Sequence, residues 1–186
     1  MLIKGSITAL VTPMNENGGL DYDSLEKLIN YQINSGISGL VAVGTTGESA
    51  TIDFKDHIKL IEFFVKINKG RVHIIAGTGA NSTEEALHLT KEAKSAGADA
   101  ALLVSPYYNK PPQEGIYYHH MKIADEVDIP QILYNVPSRT ASFIEPETVL
   151  RLSSHKNIIG IKDATGDMKN HSEALKLCKE EIENNN

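Results

Sequence analysis

Asn157-Ile158-Ile159-Gly160-Ile161-Lys162-Asp163-Ala164-Thr165-Gly166 is the stretch around which the rest of the chain is organised. Its Ile-rich run, bounded by glycine and polar residues, has the composition of a strand buried on both faces, and Lys162 stands where the run stops. A lysine at that point has two uses. It is an ordinary strand-end side chain reaching into water, or an amine partly desolvated so that its pKa falls and the neutral nitrogen attacks a carbonyl to form a Schiff base. The remaining sequence decides between them.

Upstream of this stretch one layout repeats. Ile3–Val11 reads as a strand, followed by a helix capped by Asp21 or Asp23, with Leu25, Leu28, Ile29 and Ile33 on one face and Gly36 as its stop. The apolar run Leu40–Val43 comes next. Asp53 can cap a second helix carrying Phe54, Ile58, Ile61 and Val65, and Gly70 closes it before Val72–Ala76. Ser82-Thr83-Glu84-Glu85 is a capping-box pattern for a third helix with the stripe Ala86, Leu89 and Ala93, ended by Gly97 before Ala100–Val104. Pro111-Pro112 cannot lie inside a helix, so the fourth begins near Gln113 and runs to about Val127. Ile129–Tyr134 is a fifth strand, Pro146 opens a short helix through Val149 and Leu152, and the lysine-bearing run is the sixth strand. A last helix is expected over Asp167–Ile182, with Ala174, Leu177 and Cys178 on one side.

Strand and helix thus alternate at intervals of about thirty residues, the size of a βα unit, which implies a parallel sheet with helical crossovers in a single α/β domain over residues 1–186. Alternation alone does not separate an open doubly wound sheet from a (β/α) barrel. Polar residues and glycines, however, gather after each strand's carboxyl end, where barrel active sites lie.

Composition narrows the partners. The 186 residues are 41% hydrophobic and 23% charged, enough apolar material for a sizeable core. A formal net charge of −6 with no basic cluster argues against nucleic acid or an anionic membrane and in favour of small molecules. Cys178 is the only cysteine, which suits a reducing compartment, and the first apolar stretch is broken by Lys4, Ser6 and Thr8, so a cytoplasmic protein without signal peptide or membrane span is expected.

The loops carry the chemistry. In Gly44-Thr45-Thr46-Gly47-Glu48-Ser49, two glycines flank two hydroxyls, a pattern for a tight loop whose backbone N–H groups converge on a carboxylate while threonine hydroxyls pass protons. Glu48 stands where a phosphate loop needs lysine, and Ser82 occupies the third glycine position of a dinucleotide fingerprint begun at Gly77, so neither nucleotide motif is present. Ser105-Pro106-Tyr107-Tyr108-Asn109-Lys110-Pro111-Pro112 holds paired tyrosines between prolines, as packing residues or as phenol donors. Tyr134-Asn135-Val136-Pro137-Ser138-Arg139-Thr140 offers a phenol at a strand end and a guanidinium suited to a carboxylated substrate. His119 and His120 show no ligand spacing, and neighbouring helix positions do not face each other, so no metal site is expected.

Gly44–Ser49, Pro106-Tyr107-Tyr108-Asn109, Tyr134–Thr140 and Gly160–Gly166, in this order and spacing, closely resemble the dihydrodipicolinate synthase (4-hydroxy-tetrahydrodipicolinate synthase) family, a likeness running from the amino terminus to about Met168. The resemblance implies a (β/α)8 TIM barrel, usually a homotetramer, that condenses pyruvate with aspartate semialdehyde in the diaminopimelate route to lysine, without a cofactor. It makes Lys162 the Schiff-base lysine and Tyr134 the phenol that handles protons on pyruvate and the departing water, with Thr45 linking Tyr134 to Tyr108 in a relay. The backbone around Thr45 and Thr46 would hold the pyruvate carboxylate, and Arg139 the carboxylate of the aldehyde. Of the two tyrosines, Tyr107 is favoured as the one that crosses a subunit interface. Ser49, Ala50, His57, Asn81, Glu85 and Tyr107 match the family's pattern for a lysine-effector site, except that Phe54 stands where many lysine-sensitive members have histidine. Ala141 stands where glycine is usual after Arg-Thr.

Two alternatives accompany this reading. N-acetylneuraminate lyase and the keto-deoxy sugar-acid aldolases share the barrel and the lysine, but Thr45-Thr46 and Arg139 look more like the synthase. A barrel also needs eight βα units in about 250 residues, and only about six are visible here, so a C-terminally truncated, non-catalytic product is the other alternative.

Overall fold

A computed structural model describes residues 3–184. Its strands pair in parallel. The chain forms two compact units, one of residues 1–78 and 89–102 and the other of 79–88 and 103–186.

The first unit begins with β1 (Ile7–Ala9), α1 (Tyr22–Asn34), β2 (Gly39–Ala42), α2 (Phe54–Asn68) and β3 (His73–Gly77), and takes in most of α3 (Thr83–Ala96) and the start of β4 (Ala100–Val104). β1 is shorter than the expected Ile3–Val11, because pairing with β2 covers only Ile7↔Gly39 to Ala9↔Val41. Asp21, not Asp23, caps α1 by accepting the Ser24 N–H at 2.9 Å. Asp53 caps α2 through the N–H groups of Lys55 and Asp56. Each cap meets donors that the first helical turn leaves unpaired, a contribution of about 1 kcal/mol. Leu25 and Ile29 of α1 and Leu60, Ile61 and Phe64 of α2 pack with Leu40, Ala42, Ile74 and Ala76 of the strands. Burial of each large side chain stabilises by about 1.5 to 3 kcal/mol.

The second unit contains the end of β4, α4 (Gln113–Glu126), β5 (Gln131–Asn135), α5 (Pro137–Thr140), α6 (Pro146–Ser153), β6 (Ile158–Asp163), α7 (Met168–Leu177) and α8 (Lys179–Asn184). Its core joins Ile116 and Ala124 of α4, Leu133, Ile144, Val149, Leu152, Ile158 and Cys178. Three expectations change here. β6 is not buried on both faces: Ile158 is buried, but Ile159 is 37% exposed and Gly160 is exposed too. The expected last helix is two, broken where Cys178 is held in the core while Leu175 and Leu177 stay exposed. The Tyr134–Thr140 motif, read as strand end and loop, contains the one-turn helix α5, opened by Pro137 in the position where its missing N–H costs nothing.

The histidine pair also departs from its reading. The rings of His119 and His120 meet edge to face at 5.1 Å. His119 Nδ1 shares a hydrogen bond with Thr83 Oγ1 at 2.8 Å and His120 Nε2 one with Ser105 Oγ at 3.3 Å, while His119 Nε2 and His120 Nδ1 are buried without a partner. Burial disfavours the imidazolium, lowering His119 to about 4 and His120 well below the usual histidine value. Because the folded-state pKa lies below the unfolded value of about 6.5, the neutral pair's contribution is whole above pH 6.5 and is lost as pH falls toward 4. For His119 alone this amounts to about 3 kcal/mol. Urea unfolding at pH 7 and pH 4.5 should therefore show a stability drop that His120→Phe, which keeps a ring and removes a proton site, makes smaller; an unchanged pH slope in that variant would refute the assignment.

Candidate active site

β5 and β6 are in register with Leu133↔Ile161, Tyr134↔Lys162 and Asn135↔Asp163. Partners in a parallel pair point to the same face, so the register places the phenol and the amine side by side at the strands' carboxyl end. Lys162 Nζ lies 4.1 Å from the Tyr134 ring centroid. Tyr134 is buried and Lys162 half-buried. The ring face fixes the amine's position through the attraction of cation and π cloud.

The segment after β6 is tied in two directions. Asp163 Oδ1 accepts the Thr165 N–H at 2.8 Å and its hydroxyl at 2.6 Å, and the Ala164 N–H donates to the Asn135 carbonyl at 2.9 Å. The segment after β5 turns through α5, on which Arg139 is exposed. Asn135, to which sequence reading assigns no role, is buried and pairs its side-chain amide with the backbone of Ile144. The signal available was its place in the Tyr134–Thr140 motif, but an asparagine reveals its partner only when the loop has closed.

Ala141, the departure from the family's usual glycine, is the left-handed cap of α5, with φ +54° and its N–H on the Pro137 carbonyl. A Cβ in that region costs about 1 to 2 kcal/mol, which glycine avoids. Ala141→Gly should raise the free energy of unfolding by about 0.5 to 1 kcal/mol, read as a higher urea midpoint at constant slope. A lower midpoint would contradict the strain.

In the first unit, Thr45 and Thr46 begin a 3₁₀ turn, Thr45–Gly47, followed by a second, Ser49–Thr51. The Gly47 and Ser49 N–H groups turn inward to the Gly44 carbonyl, the Glu48 N–H goes to Thr45, and the Thr12 hydroxyl donates to the Gly47 carbonyl at 2.7 Å. Val43, just before the loop, has φ +50°, a strained value for a β-branched residue. Gly77 packs so closely there that a Cβ would meet the Val43 carbonyl oxygen and sit 2.9 Å from Gly44 Cα. Thr45 is half-buried and Thr46 exposed.

The tyrosine loop has unequal members. Tyr107 is half-buried, and burial first and the Glu85 carboxylate second raise its pKa, with a hydrogen bond to the Asn81 backbone opposing them. Tyr108 is 90% exposed with φ +72° at the tip of a turn closed by the Asn109 N–H on the Tyr107 carbonyl, a strained γ-turn. Of the expected effector residues, Asn81, Glu85 and Tyr107 come together in the second unit, and Asn109 Nδ2 donates to the Asn81 carbonyl. His57 is buried, its Nε2 on the Gly77 carbonyl at 2.7 Å, and burial lowers its pKa. Ser49 is half-buried and Ala50 exposed. Among the described residues no three His, Cys, Asp or Glu side chains gather as metal ligands, and no described helix is long and apolar enough to cross a membrane.

The 4-hydroxy-tetrahydrodipicolinate synthase of Pseudomonas putida is 62% identical over 167 residues, 90% of this chain and 57% of that protein. That of Alcanivorax borkumensis is 56% identical over 181 residues, 97% of this chain and 62% of its own length. The chain thus spans about three fifths of these relatives. Among solved structures, dihydrodipicolinate synthase from Acinetobacter baumannii, a complex with pyruvate, superposes with a TM-score of 0.94 at 51% identity over 97% of this chain and 62% of that one. The architecture is accordingly of the (β/α)8-barrel type, with six strands of the series among the described residues. The register that sets Lys162 on Tyr134 therefore sits in a fold already known among these synthases, and since the Dihydrodipicolinate synthetase family profile matches residues 2–184, the chain belongs to that family.

Proposed function

We propose that this chain carries the Schiff-base chemistry of a 4-hydroxy-tetrahydrodipicolinate synthase, a lyase condensing pyruvate with L-aspartate 4-semialdehyde in lysine biosynthesis. The observation that carries the reading is the placement of Lys162 Nζ 4.1 Å from the Tyr134 ring centroid. The neutral amine adds to the pyruvate keto carbon and water leaves, giving an iminium that withdraws electrons from the methyl group. A methyl proton departs, and the enamine carbon attacks the aldehyde. Tyr134 is the proton carrier for water loss. Arg139, exposed on α5, receives the aldehyde substrate's carboxylate as a fork of paired donors. Thr45 and Thr46 are substrate-contacting residues on the chemistry of their own loop.

The synthase is preferred to N-acetylneuraminate lyase and the sugar-acid aldolases by the identity of the relatives and by Arg139. For an assembly of copies, Tyr108 rather than Tyr107 is the phenol free to reach a neighbour, since Tyr107 packs beside Glu85 and Asn81. Incubation with pyruvate and borohydride should leave a reduced adduct on the peptide containing Lys162. A folded chain that traps no pyruvate would end the proposal.

A further inference from the structure

We propose that Asn135, with Thr140 behind it, is a positioning residue that holds the Arg139 segment at a set distance from the strand end bearing Lys162; this rests on the function proposed above. Asn135 is the last residue of β5 and is buried. Its Nδ2 donates to the Ile144 carbonyl at 3.2 Å, and its Oδ1 accepts the Ile144 N–H at 3.1 Å. The side-chain amide thus serves as a strand partner for a residue nine positions on, closing the neck of a loop that contains all of α5. Ile144 is itself buried, so its backbone groups have little water to turn to if the amide is removed.

The backbone of the same residue faces the other way. Its carbonyl accepts the Ala164 N–H at 2.9 Å, two residues beyond Lys162. One residue therefore joins the arginine's loop to the lysine's strand. Inside the loop, the Arg139 and Thr140 N–H groups both donate to the Val136 carbonyl, and the buried Thr140 hydroxyl donates to the Ser142 carbonyl at 2.7 Å. Arg139 is exposed, so its aim depends on the backbone beneath it rather than on side-chain packing. From outside, Gln113 of α4 accepts the Glu145 N–H and donates to the Phe143 carbonyl, so the loop's far side stays anchored when the neck is opened. Both polar atoms of the Asn135 side chain are spent on the Ile144 backbone, so it acts through Arg139.

The test uses the full chain with Asn135→Ala, Thr140→Val and Arg139→Ala. The wild type is first treated with pyruvate and borohydride; absence of the Lys162 adduct overturns the proposed function and the positioning role with it. Where the adduct forms, Asn135→Ala and Thr140→Val should still trap pyruvate at Lys162 with unchanged KM for pyruvate. Their KM for aspartate semialdehyde should rise on the order of tenfold while kcat moves less than about threefold. Asn135→Ala combined with Arg139→Ala should be no worse than Arg139→Ala alone, because a positioning residue has nothing left to position. If Asn135→Ala does not fold, Thr140→Val decides. A fall in kcat or in trapping with the aldehyde KM unchanged, or additive losses in the double variant, would overturn the role of Asn135 and leave the Schiff-base reading standing.

Discussion

Lys162→Ala is expected to abolish pyruvate-dependent borohydride labelling and to reduce condensation to background, a loss of at least about four orders of magnitude, because the proposed covalent electron sink is removed. Lys162→Arg sharpens this result. A guanidinium can keep a cation over the Tyr134 ring, so the electrostatics of the site survive, yet it cannot lose a proton and act as nucleophile. If charge alone mattered, the arginine variant would retain activity. The proposed chemistry requires that it be as inactive as the alanine variant, with both folded, since Lys162 is only half-buried and lies at a strand end. Appreciable turnover by Lys162→Arg, or an adduct mapped to another lysine, would refute the assignment.

Tyr134→Phe should separate the two jobs of that residue. The ring face that holds Lys162 Nζ at 4.1 Å from its centroid is retained, while the hydroxyl is lost. Removing a general acid or base costs roughly 10²- to 10⁴-fold in rate. We therefore expect turnover to fall by about that factor, while borohydride still traps pyruvate on Lys162 slowly. Tyr134→Ala also removes the ring, and Tyr134 is only 7% exposed, so this variant should lose about 3 kcal/mol or more of stability. Turnover by Tyr134→Phe within about twofold of wild type would assign the proton transfer to another group.

Much of this was legible residue by residue. The cap at Asp53, the choice of α1 cap narrowed to Asp21 or Asp23, the buried stripe Ala86, Leu89 and Ala93, and the starts of α4 and α6 at the prolines are local properties, decided by which groups a few neighbouring residues can satisfy. Edges and breaks were less so. Ile159 has the same composition as a doubly buried residue and is 37% exposed, because burial depends on what lies against each face of β6. His119 and His120 lie one position apart on a helix, yet their rings touch, since both are packed inward against Thr83 and Ser105.

Ser49, Glu85 and the other motif residues were named from short patterns, and a pattern holds type and spacing only. By itself the sequence determined the alternation of strand and helix, through hydrophobic period and capping chemistry, and the presence of an amine and a phenol at strand ends with a guanidinium on the loop between them. Only the tertiary structure decided that Tyr134 and Lys162 are opposite one another, because register between strands 28 residues apart is set by the pairing of β5 with β6. It also decided that Asn135 closes a loop on Ile144, since a buried amide finds its partner only after the backbone has returned to it.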